Sequence, residues 1–353
     1  MAANWFNRFT KWWASSGTLQ DPTDPQAAAG WSYIGQAPPT VEQFNSVQQW
    51  NDQKDNWLYN QIASVLTWGS QTPSDINNNT LRDAISGKMK IVLTASTNYY
   101  VDLAGNDSTG NGTVGNPWRT IQFAITWITN HVDAAGWNVN IQLKTAGTYA
   151  QAYFGIPING NFMVTGDRLN PRNYIVKNTD GAAIVATQSA IVILQGLSVE
   201  GTGQSTGGSD YKTVGHGLYA ARGAVIYYDA VAFGPCSHTQ IAVDTGAITY
   251  PLNGTSTTLS VYGGGQSFAS GANAGTVTLQ GIPTTFTNNP NYTVATVQAG
   301  AAGTINAYGW APTGTVTGLK YNIFLNGVLV TNVAGANIPG STAGTVGSGG
   351  QVN

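Results

Sequence analysis

Carboxylates are the first residues to weigh in this chain. Glycoside hydrolysis needs a proton donor and a second carboxylate flanking one bond, about 5–9.5 Å apart. Asp133, Asp167, Asp180, Glu200, Asp210, Asp229 and Asp244 are the candidates. Asp107 in GNDSTGNG and Asp167 in TGDRLNP sit in turn sequences, where Asp bonds its own backbone. Glu200 at the end of an apolar run and Asp229 within YYDAV have no such explanation, so they are the pair a hydrolase would use. Elimination at a uronate would instead need a base and a cation. Lys212, His216, Tyr219 and Arg222 lie close enough in sequence, although Lys212 falls in the loop GTGQSTGGSDYKTVG. Cys236 and His238 in PCSH form a thiol–imidazole pair without a third group to orient it.

Other chemistries find no support. His131, His216 and His238 lack metal-ligand spacing, and GNDSTGNG has neither the lysine of a phosphate loop nor alternating oxygen ligands. No metal and no cofactor is expected. Aromatic side chains are plentiful, with 11 Trp and 16 Tyr. Their flat faces stack on sugar rings at little entropic cost. Tyr211, Tyr219, Tyr308 and Trp310 are the chief candidates for glycan stacking, with Tyr227, Tyr228 and Tyr262 behind them.

These residues belong to a chain of unusual composition. Only 8% of the 353 residues are charged, where about 25% is ordinary, and 44 are Gly. A formal charge of -2 provides no basic field for nucleic acid. One cysteine rules out an intrachain disulfide framework. The sequence has no signal peptide and no bilayer-spanning apolar run, so synthesis in the cytoplasm without membrane insertion is expected. From Pro251 to Asn353 there is no Asp, Glu or His, and Lys320 is the single cation. A surface so poor in charge predicts burial against identical copies.

Three regions follow. In residues 1–90, Trp5, Phe6, Phe9, Trp12 and Trp13 surround Arg8 and Lys11, and a Pro-rich connector leads to Thr40. Thr40 with Gln43 has capping-box spacing, which predicts a helix from Val41 to about Trp68. Phe44, Asn51, Leu58 and Val65 recur every seven residues, a seam for a short bundle or for an ordinary amphipathic helix. In residues 91–250 short β-like runs alternate with Gly, Asn, Asp and Pro, among them Ala190–Val199 and Ala224–Phe233. One amphipathic helix intervenes, with Ile121, Ala124, Ile125 and Ile128 on its apolar face. A mainly β solenoid or a sandwich would fit, and exact repeats that would decide between them are absent.

Two stretches resemble known families. Tyr99–Ile128, YYVDLAGNDSTGNGTVGNPWRTIQFAITWI, resembles the opening of right-handed parallel β-helix proteins of the pectate-lyase-like superfamily, where a short helix covers the solenoid end. Lys320–Asn353 resembles the C-terminus of bacteriophage tail fibre and tailspike proteins, through Leu325–Asn326–Gly327, Gly335–Ala336–Asn337, Pro339–Gly340–Ser341 and Gly349–Gly350–Gln351. VYGGGQ at 261–266 fits the same family's middle segment, with Ile338 and Val352 departing from expected aromatics. WASSGTLQDPTDPQAAAGW with PPTVEQFN is similar to tail-attachment segments.

The resemblance implies a homotrimeric virion protein. Residues 1–90 would attach it to a tail or baseplate adaptor through the Trp/Phe arm. Residues 91–250 would form a parallel β-helix, and 251–353 an intertwined trimeric β tip facing a bacterial surface polysaccharide. It leans toward binding without catalysis. A depolymerase, glycosidase or lyase, on the same scaffold is the alternative, and there Glu200 and Asp229 would act.

Overall fold

The computed structural model describes residues 40–67, 90–204, 214–252, 258–332, 335 and 337–353. They divide into two compact units, residues 1–90 and 91–353. In the first, helix α1 spans Val41–Thr67. Its start is a reciprocal capping box: Thr40 N donates to Gln43 Oε1 at 3.1 Å, and Gln43 N to Thr40 Oγ1 at 3.2 Å. The seam residues Phe44 and Leu58 are exposed in the single chain. The aromatic arm, Trp5, Phe6, Phe9, Trp12 and Trp13, lies outside the described residues.

The second unit is a parallel β-helix with three sheets. Each pair of neighbouring strands within these sheets is parallel, and each strand pairs with its counterpart one coil away. The first sheet has ten strands, from Thr97–Val101 to Gln351–Val352. The second has seven, from Gly147–Ala150 to Ala311–Thr313, and the third eight, from Ala152–Phe154 to Thr345–Val346. Alternation decides what faces in. Val139, Ile141 and Leu143 of one strand point into the bore, followed coil by coil by Phe162 and Val164, Val192 and Leu194, and Ile226 and Tyr228.

Both long apolar runs are two strands each. Ala190–Val199 contains Ile191–Gln195 and Ser198–Gly201, parted at Gly196 (φ 65°); Ala224–Phe233 is parted at Ala230 (φ 50°). A continuous run conceals a corner because the bore is apolar on both sides of it.

The corner between the third and first sheets repeats a single conformation. Residue pairs 188–189, 222–223, 245–246, 273–274, 301–302, 325–326 and 348–349 all have left-handed backbone, with φ between 46° and 78°. Each pair is closed by a hydrogen bond across the turn, as from Gly303 N to Gly300 O at 2.9 Å. The turns also bond to one another: Ser189 N donates to Arg222 O, Gly223 N to Thr245 O, Gly246 N to Asn273 O, and so on to Asn326 N and Ser348 O. This is a stacked column of type I′-like turns.

Helix α2, Ile121–His131, closes the first coil with Ile121, Ala124, Ile125 and Ile128 buried, as the apolar spacing requires. Thr120 caps it, and Asp107 holds that cap by accepting from Arg119 N, Thr120 N and Thr120 Oγ1. Gln122 satisfies the open strand edge, accepting from Tyr153 N at 2.8 Å. Gly112 (φ 76°) lies flat against the Trp118 indole, where a Cβ would collide with the ring.

Residues 251–353 differ from the expected separate tip. Ile248 pairs with Thr276, Thr276 with Thr304, Thr304 with Val328, and Val328 with Gln351, so all three sheets run through position 251 without a break. The charge-poor segment supplies further coils of the same solenoid.

Candidate functional site

The outer face of the first sheet carries a cleft of about 700 Å³ lined by Tyr227, Tyr250, Pro251, Thr278, Gln280, Gly281 and Asn306. Strand alternation makes it. In Val225–Asp229, Ile226 and Tyr228 fill the bore, so Tyr227 is turned outward. Tyr250 is its register partner on the next coil, and the two rings stack at 5.8 Å with 22° between planes. Across the cleft Asn306 Nδ2 donates to Gln280 Oε1 at 3.1 Å, and Asn306 Oδ1 accepts from Tyr308 N at 3.2 Å. Gly281 N donates to Tyr308 O, which holds the exposed Tyr308 at the cleft's corner. None of the residues lining the cleft is an acid, a base or a cation. The arrangement offers aromatic faces beside amides, suited to an uncharged polar ring.

The expected stacking residues are therefore divided. Tyr308 is exposed and adjoins this cleft. Trp310 does not present a surface: it is 3% exposed, stacks on Phe268 inside the bore and donates Nε1–H to Thr284 Oγ1 at 2.8 Å. Tyr219 is also buried, with its hydroxyl toward Asp244 at 3.4 Å. Tyr211 and Lys212 lie outside the described residues, as does Asp210. Tyr227 is among the secondary candidates; the missed residue is its partner Tyr250, since 23 positions of sequence hide a one-coil neighbour.

Glu200 and Asp229 stand on different sheets, and each is engaged by its own cation. Lys177 Nζ lies 3.0 Å from Glu200 Oε2, while Tyr262 donates its hydroxyl to Glu200 Oε1 at 2.8 Å. Asp229, with a fully buried side chain, meets Arg168 Nη2 at 2.7 Å and Gln195 Nε2 at 3.1 Å. Burial, and then the neighbouring Glu200, push the Tyr262 phenol well above its usual value. These are the bonds of structural ion pairs.

Asp167 behaves as its turn sequence predicts: it accepts from Asn170 Nδ2 and Leu169 N, which lowers its pKa. Asp133, just past α2, accepts from Ala135 N and Asn159 Nδ2. Cys236 is buried, and its thiol is pushed up to about 12 by desolvation, so PCSH is no nucleophile. His216 and His238 pack edge to face at 4.7 Å; burial, then His238, hold His216 down to about 3. Among the described residues no group of three or more His, Cys, Asp or Glu is placed to hold a metal. Nor is any described helix long and apolar enough to cross a membrane.

The sequence matches no protein-family model and no curated protein. Among solved structures, that of rice weevil pectin methyl esterase is similar at 14% identity, over 70% of this chain and 90% of that one, with a TM-score of 0.38. The class defined by the strand pairing is the parallel β-helix.

Proposed function

We propose that this chain is a structural protein of a tailed-bacteriophage virion, a tail fibre or tailspike that binds a glycan of the host surface. The observation that carries the binding half is the Tyr227–Tyr250 cleft, where stacked phenols and the Gln280–Asn306 amide pair face solvent. Aromatic stacking with amide hydrogen bonds recognises neutral sugars, and water exclusion by the ring faces supplies much of the affinity. The phage half rests on the resemblance of the attachment segments and of residues 320–353. In this reading residues 1–90 dock on a tail or baseplate adaptor. Three copies assemble, so that weak contacts to surface polysaccharide gain avidity.

Incubating the purified full chain with a panel of bacterial surface polysaccharides tests the reading, with bound glycan and its chain length both measured. Retention of a neutral polysaccharide at unchanged length, lost in Tyr250→Ala, is the expected result. Shortened glycan would replace it with the depolymerase reading, and Glu200→Gln and Asp229→Asn would be the first variants to make. Sedimentation at three times the 37.0 kDa chain mass is expected for the assembled protein.

A further inference from the structure

A second cleft, of about 400 Å³, lies at the corner between the first and second sheets and is lined by Arg168, Leu169, Asn170, Arg172, Asn173 and Ser260, among others. Its loop is held by bonds of its own. Asp167 closes the turn by accepting from Leu169 N and Asn170 Nδ2, and Pro171 opens a single 3-10 turn, Pro171–Asn173. Arg172 is then fixed from three sides. Its guanidinium carbon sits 4.3 Å from the centroid of the Tyr262 ring, and Nη2 donates to Ser260 Oγ at 2.7 Å and Thr287 Oγ1 at 3.1 Å.

Charge balance separates the two arginines that line this cleft. Arg168 is neutralised by Asp229 and Lys177 by Glu200, while the Asp167 carboxylate is engaged within its own turn. The ion pairs among the described residues do not include Arg172. Of its five N–H donors, both bonds seen come from Nη2. No bond to Nη1 or Nε is made by the described residues, which leaves them for a ligand, beside the Asn173 amide and the Asn170 side chain whose Nδ2 is shared with Asp167. A guanidinium held on an aromatic face and two hydroxyls, without an acid partner, has already lost the side-chain freedom that anion binding would otherwise cost.

We propose that this cleft binds a carboxylate, that of an acidic sugar residue such as a uronate. The source of the carboxylate rests on the glycan-binding reading above; the recognition itself does not use the Tyr227–Tyr250 cleft. A charge-assisted bond from Arg172 would fix the carboxylate, and the Asn amides would meet ring hydroxyls. Unlike stacking on neutral sugar, this contact weakens with salt.

Calorimetric titration of the full chain with an oligogalacturonate of three or four residues tests it, against the carboxyl-reduced oligomer and a sulfated oligosaccharide. Thermal unfolding of every variant is checked in parallel. The expected result is binding that falls about tenfold on carboxyl reduction and about tenfold in Arg172→Gln, with partial recovery in Arg172→Lys. Rising salt weakens it. Equal binding of the reduced oligomer, an unaffected Arg172→Gln protein, preference for sulfate, or no oligogalacturonate binding by the wild-type chain would each overturn the assignment. Neutral-polysaccharide binding that persists while these fail leaves the glycan reading standing and removes only this cleft.

Discussion

Replacing Gly303 by Ala while separately replacing Ala302 by Gly should move stability in opposite directions within one turn. A Cβ at Gly303 would press on the carbonyl of Gly271 and lie 2.6 Å from Ala272 N, and all of these are backbone atoms of the preceding coil. Overpacking commonly costs about 1–3 kcal/mol, and the upper end applies because no side chain can rotate away. Ala302 has φ 60°, where an L-residue carries a penalty of about 1–2 kcal/mol. Glycine removes that penalty and forfeits about 0.5–1 kcal/mol through the freer unfolded chain, leaving a net gain of about 0.5–1 kcal/mol. Solenoid coils interact with their neighbours, so the loss in Gly303→Ala should concentrate around residues 271–306. Urea unfolding gives the net change, and hydrogen exchange at Gly303 and Thr304, whose N–H groups bond to Gly300 O and Gly275 O, gives its location. An unchanged midpoint in Gly303→Ala, or a destabilised Ala302→Gly, would refute the turn-column argument.

Arg168→Met should destabilise by about 1–3 kcal/mol, because it removes the cation from the buried Asp229 carboxylate, which keeps its bond from Gln195; adding Asp229→Asn should restore part of the loss in the same urea experiment. His216 has a folded pKa of about 3 against an ordinary 6.5, so the unfolded chain takes up its proton first and this contribution is complete only above about pH 6.5. Stability should therefore fall with a slope of about 1.4 kcal/mol per pH unit on acidification from pH 6.5 toward 3, and His216→Gln should flatten that slope; identical pH profiles would contradict it. Cys236, buried and with its thiol held up to about 12, should resist a thiol-labelling reagent in the native protein and react on unfolding, which absorbance at neutral pH would follow.

Local chemistry was legible wherever neighbours in sequence are neighbours in space. Thr40 and Gln43 predict the capping box they form, and the spacing of Ile121, Ala124, Ile125 and Ile128 predicts the buried face of α2. Asp167 in its turn sequence is a turn acid, whereas Asp107 holds the α2 cap from 12 and 13 residues away, which its turn context did not reveal. Exposure of aromatics was not legible. Trp310 and Tyr308 are two residues apart, yet one fills the bore and the other faces solvent, because a corner intervenes and reverses the simple alternation expected of a strand.

The amino-acid sequence alone determined a charge-poor, mainly β chain with a change of character near residue 90, one capping helix, and no disulfide framework. It could not reveal the repeat. The turn pairs that stack at the third corner read Gln-Ser, Arg-Gly, Thr-Gly, Asn-Ala, Ala-Ala, Leu-Asn and Ser-Gly, which share a backbone conformation and no residue pattern. Only the tertiary structure set the coil registers. Those registers carry the solenoid through residues 251–353, pair Glu200 with Lys177 and Asp229 with Arg168, and bring Tyr227 beside Tyr250. The physical reason is that coil-to-coil contacts join residues roughly 23–34 positions apart, where burial and hydrogen bonding choose partners that no local pattern encodes.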